Sequence, residues 1–281
     1  MVIKFNFMGK IIPAQLNSFI RSGLSAFSNT RFSKGCNNEP SKAMGKVREK
    51  EGYDWLPPSG SDRPLTGTYR AHILAETDLS RDHLTPEIQL YLITQNCRLW
   101  RARPEDSPFC EPFWAFYWPG GQALSRYLLD NKAAVKGKKV LDFGTGCGAS
   151  GLAAKLSGAG HVTFNDIDPA AAEAVLLNGT ENKIVIDNFS TLNLIGSCCQ
   201  KFEVLLVGDM LYDTEFADEV LKWLRREHEK GAVVLIGDPG RFALESHPLK
   251  TSLKCLAKYE LKPSTVLENN GHVQAFVWTF K

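Results

Sequence analysis

The chain has 281 residues, 43% hydrophobic and 23% charged, with a formal net charge of +2. Domains typically span ~100–200 residues, so this length holds one generous core plus extensions, and no apolar run approaches the ~20 residues of a membrane helix. The near-neutral balance excludes the basic footprint of a nucleic-acid binder, and seven cysteines without a Cys-x-x-Cys pair point away from zinc and from a disulfide framework, so no metal, nucleic-acid or membrane partner is expected.

The charge is unevenly spread. Residues 1 to 38 contain Lys4, Lys10, Arg21, Arg31 and Lys34, five serines and no acid, which leaves 28 basic against 31 acidic residues in the remainder. In the same stretch Ile11, Ile12, Leu16, Phe19, Ile20, Leu24 and Phe27 recur at roughly helical spacing. A basic, acid-free, amphipathic N-terminus describes a mitochondrial transit peptide and a matrix address, with a disordered basic tail as the alternative reading. Residues 39 to 83 are polar and carry Pro40, Pro57, Pro58 and Pro64, which reads as a disordered linker.

The folded domain is expected over residues 84 to 281, beginning with a helical cover. Thr85-Pro86-Glu87 offers an N-cap with proline at the first helical position, and Ile88, Leu90, Tyr91 and Leu92 supply an apolar face. Residues 112 to 121 form an aromatic loop around Trp114, Tyr117 and Trp118, closed by Pro119-Gly120-Gly121, that opens a helix bearing Leu124, Tyr127, Leu128 and Leu129. From Lys138 onward short apolar runs alternate with helix-length segments. Strands are predicted at 139 to 143, 161 to 165, 184 to 186, 202 to 208, 232 to 237, 258 to 266 and 273 to 280, and helices at 149 to 157, 169 to 180, 214 to 229 and 247 to 257. Such alternation implies an α/β fold with a parallel sheet wound on both faces. Asn269-Asn-Gly271 reads as a hairpin turn, so the sheet ends in an antiparallel pair.

Within this pattern, Val140-Leu-Asp142-Phe-Gly144-Thr145-Gly146-Cys-Gly148 places glycines where a strand turns into a helix and a ligand approaches the backbone. Gly146, Gly148 and Gly151 also spell the dinucleotide fingerprint, so the glycines alone leave a nicotinamide or flavin enzyme open. Asp142 separates the two readings. A carboxylate at the strand end repels a pyrophosphate and stabilises the ammonium and sulfonium of S-adenosylmethionine. Asp166, 24 residues later, stands where an acid accepts ribose hydroxyls, with Ile167 beside it and Asp168 as the cap of the next helix. Asp187 or Asn188, after the third strand, is expected near the adenine, with a plain solvated loop as the alternative. Trp118 is expected to cover the cofactor. The fourth strand delivers Asp209-Met210-Leu211-Tyr212 to the edge where open α/β sheets hold substrates, so Asp209 and Tyr212 are the candidate catalytic pair for an amine acceptor. Asp238-Pro-Gly-Arg241 follows the fifth strand at the same edge, as substrate contact or plain turn.

Together these residues resemble the seven-β-strand protein-lysine methyltransferases that carry an Asp-x-x-Tyr motif after the fourth strand, matched here by Asp209 and Tyr212. Residues 84 to 90, 117 to 130, 165 to 169, 208 to 213 and 235 to 241 are similar to the branch acting on the electron transfer flavoprotein beta subunit, and the likeness covers residues 84 to 280. The resemblance implies a Rossmann-like sheet of order 3-2-1-4-5-7-6 with strand 7 antiparallel, S-adenosyl-L-methionine as cofactor, that flavoprotein subunit as partner, and a monomer. A methyltransferase on another protein or small-molecule amine, an NAD(P)-dependent oxidoreductase and an inactive binding module are the competing readings.

Overall fold

The computed structural model describes residues 64 to 281, apart from Gln200 and Asn270. The predicted transit peptide and the linker as far as residue 63 lie outside these residues. The rest of the predicted linker is regular structure: α1 (Pro64–Glu76), followed by β1 (Asp78–Ser80). Prolines bias a chain toward loops, but Pro64 stands at the start of its helix, where a proline costs nothing. The predicted helix after Thr85 is also absent. Residues Leu90–Leu92 form β2, antiparallel to β1, and Thr85 is buried with its hydroxyl 3.0 Å from that of Tyr117. A hydroxyl committed to a tertiary partner caps no helix.

Seven further strands make the main sheet: β3 (Lys139–Phe143), β4 (His161–Asn165), β5 (Asn188–Ser190), β6 (Val204–Gly208), β7 (Val233–Asp238), β8 (Leu253–Glu260) and β9 (Gln274–Phe280). Their order is β5-β4-β3-β6-β7-β9-β8, with β9 antiparallel to both neighbours and the other pairs parallel. Counted from β3, this is the expected 3-2-1-4-5-7-6. Helices α2 (Pro119–Asp130), α3 (Ala149–Leu156), α4 (Pro169–Glu181) and α5 (Thr214–Glu229) supply the layers. Alternating strand residues divide between two cores. Val204 and Leu206 join a cluster with Leu124, Leu152 and Val175, while Leu205 and Val207 pack with Trp223 and Leu224 on the other face.

Two elements at the end of the chain differ from expectation. Leu249, Leu253 and Leu256 mimic helical spacing, yet the chain forms only α6 (Phe242–Glu245) and a 3₁₀ turn (Pro248–Ser252) before β8. The edge strand β8 exposes most of its residues, so it lacks the alternating pattern that marks a strand covered on one face. Between β8 and β9, α7 (Pro263–Glu268) occupies residues predicted as strand, so Gly271 (φ 79°) lies in a longer connection and not in a two-residue hairpin. The antiparallel pair itself is present.

Close backbone contact sets α2 on the sheet. A Cβ added at Gly120 would lie 2.3 Å from the carbonyl oxygen of Gly237, and one added at Gly208 would lie 3.0 Å from the Cα of Gly121. The two glycines therefore form the first turn of α2, pressed onto the carboxyl ends of β6 and β7, and Trp118 is its extended N-cap residue.

Candidate active site

The five parallel strands deliver their turns to one edge. The first follows β3, where Gly144, Gly146 and Gly148 all adopt positive φ (64°, 52° and 84°), a conformation that favours glycine and leaves the backbone bare of side chains. The Gly146 position is open above, a Cβ there meeting only the Trp114 backbone at 3.6 Å, whereas one at Gly144 would overlap Met210. Contrary to the expectation from the sequence, Asp142 does not face this opening. It is 1% exposed, and Oδ2 accepts from the Thr145 hydroxyl and from the Gly151 N–H at 2.8 Å. Burial raises its carboxyl to about 6. Asp142 and Thr145 thus hold the turn from beneath, because an inward-facing strand residue finds its donors in the first turn of α3 before it can reach a ligand.

Asp166 stands at the end of β4 as expected. Its Oδ2 accepts from Gly146 N–H at 2.9 Å and Oδ1 from Asp168 N–H at 3.0 Å, joining the first two turns, and the residue remains half-buried, open to a further donor. Burial raises its carboxyl to about 6, with Asp168 adding to the shift. Asp168 caps α4 through Ala170 N–H at 2.8 Å. Ile167, 58% exposed, offers an apolar face beside Asp166.

Asn188 and Asp187 are not at this edge. Asn188 pairs with Thr163 in mid-strand, two residues before β5 ends, and Asp187 binds Lys155 (2.8 Å) and the N–H of Val162 (2.8 Å) at the opposite end of β4. The Ile184-Val185-Ile186 run caused the error. Its N–H at Ile184 donates to Gly179, so the run closes off α4, and the true strand starts later. Ser190 and Leu192 occupy the expected place, their carbonyls held by the Asn165 side chain at 2.8 and 2.9 Å.

The turn after β6 carries Asp209 and Tyr212. Asp209 has φ 61° and a side chain with no exposed area; Oδ2 accepts from Gly120 N–H at 2.6 Å and Oδ1 from Arg241 Nε at 2.5 Å. The carboxylate expected to receive an amine is spent on protein donors. Tyr212 stacks on Phe216 (centroids 5.2 Å apart). Its phenol is held protonated, first by burial and then by Asp166, Asp213 and Glu111, while Arg241 acts in the opposite direction. Glu111, half-buried before the aromatic segment, is a member of this rim that no sequence motif marked. Among the described residues no group of three or more His, Cys, Asp or Glu side chains could hold a metal ion.

Above the glycine turn lies the segment leading into α2. The Trp118 indole donates to the Phe113 carbonyl at 2.9 Å and its ring leans on Phe113 and Phe116, leaving it partly exposed. Trp114, whose backbone a Cβ on Gly146 would meet at 3.6 Å, is the buried member of this segment.

A family model described as lysine methyltransferase matches residues 115–251. An electron transfer flavoprotein beta subunit lysine methyltransferase from Xenopus laevis is 49% identical over 213 residues, 75% of this chain and 87% of that protein. The enzyme of that name from Mus musculus is 46% identical, covering 75% of this chain and 84% of the relative. One from Homo sapiens is 44% identical over 203 residues, covering 72% and 78%. The chain belongs to the lysine methyltransferase family. Its cofactor is S-adenosylmethionine, and the bare glycine turn, the half-buried Asp166 and the exposed Ile167 fit the donor's chain, ribose and adenine respectively. When bound, the cofactor supplies an electrophilic methyl group on a sulfonium. The protein's task is to orient a neutral amine against it and to exclude water.

Proposed function

We propose that this lysine methyltransferase acts on lysine side chains of the electron transfer flavoprotein beta subunit in the mitochondrial matrix. Similarity over most of the chain to enzymes so named supports the substrate, and the basic, acid-free N-terminus supports the address. Free lysine has a pKa of ~10.4, so the site must favour loss of one proton before transfer. Arg241 beside Tyr212 disfavours a second cation there, and the Tyr212 oxygen can accept from the amine N–H and aim its lone pair. Asp166 and Asp168 give the cleft the negative field that draws a lysine to it. Bound S-adenosylmethionine would supply its methyl group to the aligned nitrogen, the carbon–sulfur bond breaking as the nitrogen–carbon bond forms and S-adenosylhomocysteine leaving as the neutral thioether, so no covalent enzyme intermediate is needed.

The test is incubation of the enzyme and isotopically labelled S-adenosylmethionine with purified flavoprotein beta subunit, followed by mass spectrometry of its peptides. Methyllysine on the subunit is expected. Label found only on other mitochondrial proteins or on small-molecule amines would overturn the substrate assignment while leaving the methyltransferase itself intact.

A further inference from the structure

Asp209 carries more than its place in the Asp-x-x-Tyr motif explains. A carboxylate removed from water costs several kcal/mol unless it is paired and fully hydrogen-bonded. Here the compensation comes from two distant segments, the guanidinium of Arg241 at 2.5 Å and the Gly120 N–H at 2.6 Å. The Asp209 N–H also donates to the Gly237 carbonyl at 2.8 Å, the oxygen that excludes any Cβ at Gly120. Arg241 is anchored in turn, its own N–H donating to Asp238 Oδ1 at 2.8 Å, while its side chain remains 18% exposed beside Tyr212. A continuous path therefore runs from the turn after β7, through Arg241 and Asp209, to the first turn of α2, two residues from Trp118.

We infer that Arg241 is a positioning residue for methyl transfer: by pairing with Asp209 it locks the first turn of α2, and with it Trp118, against the carboxyl ends of β6 and β7. The inference rests on Trp118 covering the cofactor. Without the guanidinium, Asp209 is a buried charge lacking a counterion, and turning toward water would release Gly120. Lysine restores the charge but not the planar donor geometry, so it substitutes incompletely.

A double-mutant cycle on S-adenosylhomocysteine affinity, measured by calorimetry on the full chain, tests this. Arg241→Ala is expected to weaken binding at least tenfold and Arg241→Lys to recover most of that loss, with cooperative urea unfolding in each. In a Trp118→Ala background, Arg241→Ala is expected to change affinity less than twofold, because the residue it positions is gone. Arg241→Gln serves the same cycle if the alanine variant fails to fold. Equal losses in both backgrounds, or no loss in either, would overturn the positioning role. Unchanged affinity in Trp118→Ala alone counts separately against Trp118 as the cover.

Discussion

Asp166 shows how a single carboxylate acquires its role from its neighbours. Two backbone N–H groups fix its orientation, and burial lifts its carboxyl to about 6 from an ordinary value of 3.8. Because the folded-state value is raised, this group's stabilising contribution is present below about pH 4 and is lost as pH rises through about 6. Ribose hydroxyls reverse that tension by donating to the ionised form. Affinity for S-adenosylhomocysteine should therefore rise as pH increases through about 6. Asp166→Asn should bind ~10–100-fold more weakly at neutral pH, the ~1.5–3 kcal/mol of hydrogen bonds to a charged group, and should flatten that pH dependence. Calorimetry between pH 5 and 8 checks both, and a slope that persists in the variant assigns it elsewhere, with Asp142 the next group to substitute. Asp166 was legible in the sequence because its spacing from Asp142 follows from strand and helix lengths. Burial of Asp209 was not legible, since its partners Gly120 and Arg241 lie far away in sequence, and that of Asp142 was not, because the fold of the glycine turn decides that Thr145 and Gly151 donate to it from beneath.

At the scale of elements, the first turn of α2 decides the geometry. The Pro119-Gly120-Gly121 sequence reads as a loop, because glycines are poor helix formers. In the structure they permit helix and strands to approach at backbone distance, a gain that outweighs propensity. Gly120→Ala should destabilise the fold by at least about 1–3 kcal/mol, since its Cβ meets immobile backbone at 2.3 Å and no side chain can give way. A lowered urea midpoint with unchanged slope is the expected result; a midpoint equal to that of the parent would contradict the close packing. The helix α5 was read with its correct bounds because Asp213 caps it and its apolar face is continuous. By contrast, β5 and β8 were misplaced. The first is three residues long and the second lies at an edge, so neither carries a decisive hydrophobic period.

For the molecule as a whole, the two ends of the argument meet in different ways. A chain with residues 1 to 38 removed and a fluorescent protein fused to its C-terminus is expected to stay in the cytosol, while the full chain fused in the same way enters mitochondria; equal distributions seen by microscopy would refute the proposed address. The alternation of strands and helices and the antiparallel pair at the end of the sheet were legible in local signals, the apolar runs, the helix caps and the glycines, whereas the order of the seven strands was implied only by the resemblance to the family and is borne out by the structure. The tertiary structure alone decided which carboxylates remain open to a ligand. Asp142 and Asp209 are satisfied by Gly151, Thr145, Gly120 and Arg241, whereas Asp166 keeps an exposed side. The physical reason is that buried carboxylates must be compensated by whichever donors the packed chain brings to them: the folded glycine turn and the start of α3 for Asp142, the approach of α2 and of the turn after β7 for Asp209.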